Sequence, residues 1–151
     1  MSDAFAIDPN EISADEFAGL VANTPDDQVE TLIRATGTKR VLDRIFHVMQ
    51  ERFLPDKARG VDLKIQFFVE DQEEQFPYAV AISNDRCEIS PNTVEDPRVT
   101  LTADLVPFIK LVSGQADGVQ LFFKGALKVS GDIMFAQRIM SFFDRPTAQS
   151  G

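Results

Sequence analysis

The sequence predicts an α+β domain in which helices cover the apolar face of one five-stranded sheet. The spacing of apolar residues changes from helical to strand-like and later returns to helical, and both changes favour this class. Apolar residues recur at the helical spacing up to about residue 53, and they alternate as in strands from Gly60 to Thr102. A helix, a strand and a last helix follow. A chain of 151 residues fits one such domain.

Two helices are expected before residue 37. Ser13 can cap the first, which begins the stretch "SADEFAGLV". Thr24, followed by Pro25 and two aspartates, is expected to cap the second helix, and Gly37 ends it. These two helices precede the segment that carries the strands.

A third helix is predicted over residues 38–53, with one apolar and one polar face. The apolar face contains Val41, Leu42, Ile45, Phe46, Val48 and Met49. The opposite face contains Arg40, Arg44, His47 and Glu51. Residues 34–64 hold eight Lys or Arg against four Asp or Glu, in a chain of net charge -9. This local basic excess is therefore largely one solvent-facing stripe.

Four strands are expected next. Apolar and polar side chains alternate over residues 61–70, and again over residues 76–82. Pro77 has no N–H to donate to a neighbouring strand, so it favours an edge or the beginning of the second strand. Residues 86–90 and 98–102 complete the four, and an antiparallel arrangement is implied.

The end of the chain predicts a helix from about Asp104 to Gly114, a strand over residues 126–130, and a final helix capped by Asp132. The segment "QADGVQLFF" is expected to be an aromatic turn. Apolar side chains of the final helix spread over an arc of roughly 180°, wider than a covering helix needs. Such a helix must be covered by the sheet and also by another helix, a bound molecule or a partner chain.

Composition excludes several function classes. The net charge of -9 opposes binding to nucleic acid. Cys87 is the single cysteine, which leaves no internal disulfide and no cysteine metal cluster. Glycine spacing shows neither a phosphate loop nor a dinucleotide fingerprint, so no cofactor is expected. The N-terminus shows no signal pattern, and we expect a cytoplasmic protein.

No catalytic residue and no metal ligand is predicted. His47 is the single histidine, and it falls on the polar face of its helix. Cys87 lies in a predicted strand, where a small buried hydrophobic residue is the simpler interpretation. The acid pairs at residues 26–27, 73–74 and 95–96 sit at helix starts or turns, where solvation explains them.

The segment from Leu101 to Phe143 resembles the sterol-binding domain of the sterol carrier protein 2 family, also called non-specific lipid-transfer proteins. The resemblance is carried by an acid-capped helix ending in a glycine, an aromatic-rich segment, a "G-x-L-K-x-x-G-D" strand and an apolar last helix. The matching residues are Asp104, Leu105, Gly114, Gly125, Leu127, Lys128, Gly131 and Asp132. The helix and the strand "GVDLKIQFFV" before this segment are similar to the start of that domain, so residues 38–144 are expected to form it.

The resemblance implies a mostly antiparallel sheet with a hydrophobic tunnel between sheet and helices, holding a fatty acyl chain, acyl-CoA, a sterol or a similar ligand. Residues 1–37 are then an arm and two extra helices, and residues 145–151 a flexible tail. Arg40 and Arg44 are candidates for a transient contact with an anionic membrane or a CoA phosphate, although a plain solvated helix face is the simpler interpretation of both. The expected wall residues are Phe108, Leu111, Val112, Phe122, Met134, Phe135, Ile139 and Phe143.

Two alternatives to a lipid carrier stay open on the sequence alone. An isomerase or cyclase could use the same cavity, with Tyr78, Asp132 or His47 as the working group. An interaction or scaffold module could instead dock a partner, or its own copy, through Phe142 and Phe143 on the last helix.

Overall fold

The structure, a computed structural model, describes residues 14–144. The helices within that range are α1 (Ala14–Ala22), α2 (Asp26–Thr36), α3 (Thr38–Glu51), α4 (Leu105–Val112), α5 (Gly118–Phe123) and α6 (Ile133–Ile139). The strands are β1 (Leu63–Asp71), β2 (Glu74–Ser83), β3 (Arg86–Ser90), β4 (Val99–Asp104) and β5 (Leu127–Gly131). Two 3₁₀ helices lie at Pro55–Ala58 and Met140–Phe142. The α+β class and the five strands are confirmed.

The strands form one sheet in the order β3-β2-β1-β4-β5. Three neighbouring pairs are antiparallel, and β1 pairs with β4 in parallel. The sheet is thus mostly antiparallel, but the expectation that its first four strands are all antiparallel was wrong. The parallel pair arises because residues 91–98 carry the chain from β3, at one edge, across β2 and β1 to the far side of β1.

Gln66, in the middle of β1, holds this crossing segment. Its side chain is buried, and its Nε2 donates to the carbonyls of Tyr78 and Asn92 at 3.3 and 3.2 Å. Its Oε1 accepts from the backbone N–H of Val94 at 2.8 Å. A buried amide without partners costs free energy, so these bonds keep the segment against the sheet. Gln66 alternates with Phe67, which faces α3, so the crossing runs over the face opposite the helices.

The other face of the sheet is apolar and forms the core with the helices. Alternate residues of the paired strands supply it: Ile65, Phe67, Val69, Tyr78, Val80, Ile82, Val99, Leu101, Ala103 and Leu127. Helices α3 and α4 cover its centre. Val21 of α1 and Val29 and Ile33 of α2 belong to the same core, and α2 packs against α3 and α4. The boundary expected at residue 37 stays a prediction.

Several local expectations need correction or lie outside the described residues. The expectation that Thr24 caps α2 was wrong: the helix begins at Asp26 with Pro25 in the capping position, and proline has no side-chain acceptor to serve as a cap. The Pro25 carbonyl accepts from the N–H groups of Gln28 and Val29. The expected aromatic turn forms helix α5, whose N-terminus is capped by Asp117. Asp132 does cap α6, accepting from the N–H of Phe135 at 2.9 Å. The proposed cap Ser13 lies outside residues 14–144.

A cluster of four aromatic rings fills the space between α3, α4 and the sheet. Phe46 of α3 stacks on Tyr78 at 4.0 Å and on Phe108 of α4 at 5.3 Å, measured between ring centroids. Its edge-to-face contact with Phe67 spans 5.5 Å. The Tyr78 hydroxyl donates to Asp43 at 2.7 Å, which satisfies the polar end of a buried ring. The centre of the domain is therefore packed with protein side chains.

Burial raises the pKa of Tyr78 above its ordinary value of 10.0, and the hydrogen bond to Asp43 adds to the shift. The folded protein thus keeps this proton where the unfolded chain releases it. We therefore expect that titration of Tyr78 leaves the free energy of unfolding unchanged below pH 10.0 and lowers it as the pH rises above that value. Urea unfolding over a pH series measures this loss, and Tyr78→Phe should remove its tyrosine component.

Phenolate absorbance provides the control, since Tyr78 is the single tyrosine of the chain. As the pH is raised, phenolate absorbance should increase only when the protein unfolds. A normal titration of the folded protein, with a midpoint at the ordinary value, would contradict the prediction.

Candidate functional site

A groove of about 630 Å³ opens between the end of α4, helix α5, helix α6 and strands β4 and β5. The sequence positions these walls through a short α4 that ends at Val112, which frees residues 113–117 to turn the chain back toward the sheet. Gly114 (φ 80°) and Gly125 (φ 79°) adopt positive φ on either side of α5, a conformation that glycine takes without strain. The groove is therefore bounded by two short helices over one side of the sheet.

The groove has an apolar floor and an apolar mouth. Buried side chains from two strands and two helices make the floor: Leu101, Leu111, Leu127 and Ile139. Large side chains exposed to solvent line the mouth: Val119, Phe122, Phe123 and Ile133. Apolar burial needs few directional contacts, so such a groove suits a hydrophobic ligand of variable shape.

Five of the eighteen residues that line the groove carry polar side chains, and three of these already serve the local fold. Asp117 accepts from the N–H of Val119 at 2.8 Å and so caps α5. Gln115 Nε2 donates to the Ser113 carbonyl at 3.2 Å, and the Ser141 hydroxyl donates to the carbonyl of Arg138. These bonds shape the walls of the groove, and the remaining polar side chains of the lining are Gln120 and Gln137.

The structure brings only some of the expected wall residues together. Leu111, Phe122 and Ile139 line the groove. Met134 is 75% exposed on α6 and is absent from the lining. Four others are buried in the core without lining the groove: Phe108, Val112, Phe135 and Phe143. Their assignment as ligand contacts stays a prediction.

The expected wall residues did not include those that the sheet contributes to the groove. Leu101 and Leu127 belong to β4 and β5, whose apolar residues alternate in the sequence and so predict an inward face. That alternation does not show which part of the sheet's apolar face is left uncovered by side chains of the helices. Phe46 and Phe108 cover the centre of the sheet, and the space remains beside β5.

The groups considered for catalysis do not line the groove. Tyr78 donates to Asp43 within the aromatic cluster. His47 lies exposed on α3 near Glu51. Hydrogen bonds from the Phe135 N–H and from Arg98 lower the pKa of Asp132, which caps α6. Burial raises the pKa of Cys87 to about 12, which leaves the thiol protonated at neutral pH.

The two arginines considered as candidates for anion contact lie on α3, away from the groove lining. Arg40 is exposed and Arg44 is half-buried. Arg44 Nε is buried and has no hydrogen-bond partner within residues 14–144. Their contact with a membrane or a CoA phosphate stays a prediction.

The described residues offer neither a metal site nor a membrane-spanning helix. Between residues 14 and 144, His, Cys, Asp and Glu side chains form no group of three that could hold a metal ion. In the same range no helix has both the length and the apolar character that crossing a bilayer requires.

Comparison with known structures gives the fold. Sterol carrier protein 2 from Yarrowia lipolytica, in its apo form, is 20% identical, with a TM-score of 0.55 over 70% of this chain and 88% of its own. A palmitated sterol carrier protein 2-like protein from Aedes aegypti is 17% identical, with a TM-score of 0.55 over 70% of this chain and 96% of its own.

An enzyme shares the same fold in part of its chain. The stereoselective inverting sec-alkylsulfatase from Pseudomonas sp. is 16% identical, with a TM-score of 0.63 over 99% of this chain. This protein spans only 27% of that alkylsulfatase, and 18% of a double-mutant form of the enzyme. Because the match to the Pseudomonas alkylsulfatase covers 99% of this chain, it includes α1 and α2.

The sequence comparison is more specific than the structural one. A search of curated proteins gives no match to this chain. The sequence pattern of the SCP-2 sterol transfer family matches residues 42–144, which is more than half of the chain. That range begins within α3 and includes all five strands, α4, α5, α6 and every residue that lines the groove. The chain belongs to the SCP-2 sterol transfer family.

Proposed function

We propose that this protein carries one long-chain fatty acid, or a lipid of similar shape, in the groove between α5 and α6, without changing it chemically. The observation that carries the proposal is a groove of about 630 Å³ with a floor of buried aliphatic side chains. Pockets for small ligands span about 300–1,000 Å³ and are lined mainly by apolar groups, so the groove has a suitable size.

The energetics favour an alkyl chain. Each methylene group that leaves water for an apolar surface contributes about 0.8 kcal/mol, before the cost of ordering the ligand. Leu101, Leu111 and Leu127 provide that surface, and the exposed Phe122 and Phe123 extend it to solvent. The family membership and the palmitated relative from Aedes aegypti support a fatty acyl ligand.

The N-terminal helices support this site indirectly. Lys110 of α4 forms an ion pair with Asp26 of α2 at 2.5 Å, and α1 and α2 both pack against α4. Leu111 lies next to that ion pair in the sequence and lines the groove. We therefore include α1 and α2 in the ligand-binding unit, because their contacts hold α4 in place as a wall of the groove.

A substitution that fills the groove tests the proposal. Ala136 lines the groove and is half-buried on α6. We expect Ala136→Phe to occupy ligand space and to weaken the binding of a fluorescent long-chain fatty acid by roughly tenfold or more. Fluorescence titration measures the affinity, and thermal unfolding shows whether the variant remains folded.

The matched control is Ala35→Phe, which adds the same ring to an exposed position on α2. Its affinity should equal that of the unchanged protein. The proposal fails if the unchanged protein does not bind the fatty acid, or if the folded Ala136→Phe variant binds it equally well.

A further inference from the structure

The lining of the groove contains one charged side chain, and it is an acid. Of the eighteen residues that line the groove, Asp117 alone is charged, so the lining holds no lysine, arginine or histidine. A fatty acid is an anion at neutral pH, and proteins usually bind a carboxylate through a cation or through several N–H donors. In this groove a carboxylate headgroup would instead meet a charge of its own sign.

Two cations on the helices beside the groove are held away from its lining. Lys110 of α4 forms an ion pair with Asp26 of α2 at 2.5 Å. Arg138 of α6 stacks over the rings of Phe135 and Phe142 at 5.8 and 5.7 Å, and both rings are buried outside the lining. Neither cation is therefore placed to neutralise an anion in the groove.

Two more lysines follow the lining residues in the sequence. Lys128 alternates with Leu127, which lines the groove, so Lys128 lies on the opposite face of the sheet. Lys124 is exposed at the end of α5, next to Phe123 but outside the lining. Lys124 is thus the cation that a competing interpretation would use, and it needs a test of its own.

The acids near the groove differ in how far their charge is compensated. Asp132 is paired with Arg98 at 3.0 Å. Asp144 lies beside Arg52, whose guanidinium donates to the Asp144 carbonyl at 3.2 Å. Asp117 forms no ion pair within residues 14–144, and its carboxylate accepts from the N–H of Val119. The negative charge of Asp117 therefore faces the groove without a cation to balance it.

Two glutamine amides in the lining are available to a ligand. Gln120 lies on α5 and Gln137 on α6, the two helices that flank the groove. Both side chains are exposed, and the hydrogen bonds of residues 14–144 involve neither of them. A glutamine amide donates through its nitrogen and accepts through its oxygen, and a hydroxyl group also does both. The polar groups of the lining therefore suit an uncharged hydroxyl headgroup.

We propose that the groove selects lipids with an uncharged hydroxyl headgroup, of which long-chain primary alcohols are the simplest, over fatty-acid anions of equal chain length. The proposal rests on the proposed function and specifies its ligand class. The alkyl chain lies on the apolar floor, Gln120 and Gln137 bind the hydroxyl group, and Asp117 repels a carboxylate. The net charge of -9 repels an anion further.

Competition between two matched lipids measures this selectivity. Dodecan-1-ol and dodecanoate, each below its micellar concentration, displace the same fluorescent fatty acid at neutral pH. We expect the alcohol to bind roughly tenfold more tightly. An alcohol also leaves water more readily than an anion does, so variants must show that the groove itself contributes to the difference.

Asp117→Asn isolates the charge, because asparagine can also accept from the Val119 N–H and so keeps the cap of α5. We expect dodecanoate to bind several-fold more tightly to this variant, while the affinity for dodecan-1-ol stays the same. The matched control is Asp85→Asn, which removes an equal charge in the turn between β2 and β3. Both affinities of the control should equal those of the unchanged protein.

Substitution of the glutamines tests the headgroup contacts. Gln137→Lys places a cation in the lining, and we expect it to change the ratio of the two affinities by roughly tenfold in favour of dodecanoate. The double variant Gln120→Leu and Gln137→Leu should lower the affinity for dodecan-1-ol several-fold. Gln28→Leu, at an exposed position of α2, provides the control and should leave the affinity unchanged. Thermal unfolding shows that each variant is folded.

The outcomes separate this proposal from the proposed function. If neither the fatty acids nor dodecan-1-ol bind, the proposed function fails. If fatty acids bind but Asp117→Asn leaves the preference between the two lipids unchanged, the groove does not select by charge, and only the present proposal is overturned. Tighter binding of dodecanoate that Lys124→Gln abolishes would assign the headgroup to Lys124, and it would likewise overturn selection for an uncharged lipid.

Discussion

Replacing Phe46 with alanine should lower the free energy of unfolding by about 3–5 kcal/mol, the usual cost of removing a buried phenylalanine ring. Phe46 is 2% exposed and contacts Phe67, Tyr78 and Phe108 together. Its loss would leave a cavity between α3, α4 and the sheet, and three rings would each lose a partner. Urea unfolding followed by circular dichroism measures the effect.

Two further variants make this prediction specific. Phe46→Leu keeps most of the volume and should cost less than half as much, which also provides a measurable case if the alanine variant does not fold. Phe123→Ala removes an equal ring from a position that is 80% exposed, and stability should change by no more than about 0.5 kcal/mol. Similar losses for Phe46→Ala and Phe123→Ala would show that the aromatic cluster is not the centre of the core.

The sheet and its long helix could be predicted because their patterns are local. Burial of one face of β1 requires apolar residues at every second position, and that alternation is visible from Val61 to Val69. Helix α3 shows the corresponding 3.6-residue pattern. The parallel pairing of β1 with β4 depends instead on Gln66 meeting Asn92 and Val94, more than twenty residues away, and no local pattern contains that contact.

The candidate site, like the fold, could be predicted only in part. Leu111 and Ile139 follow from the inward faces of α4 and α6. Helix α5 was predicted as a turn because its six residues, which begin with Gly118, are too few to show a helical period. The one local signal for that helix was Asp117, a residue type that favours the N-cap position. Where the groove lies depends on which core positions the rings of Phe46 and Phe108 fill.

Gly131→Ala should destabilise the protein by about 3 kcal/mol, through backbone strain and steric overlap together. Gly131 ends β5 at φ 96°, and a Cβ there would lie 2.4 Å from the carbonyl oxygen of Arg98. That carbonyl accepts from the N–H of Asp132, so relief of the overlap requires β4 and β5 to move apart beside the α6 cap. Urea unfolding measures the loss of stability.

Gly125→Ala distinguishes the cost of backbone strain from the cost of steric overlap. Gly125 has φ 79°, yet a Cβ there would meet no atom within 4 Å beyond its own chain neighbours, so this variant should lose only the cost of positive φ, about 1 kcal/mol. Leu101 of β4 and Leu127 of β5 form part of the groove floor, so the folded Gly131→Ala variant should also bind fatty acid more weakly, whereas Gly125→Ala should retain most of its affinity. Equal loss of stability in both variants would mean that backbone conformation alone selects glycine at residue 131. A larger loss at Gly131 would show that close packing of β5 on β4 fixes the edge of the sheet on which the groove is built.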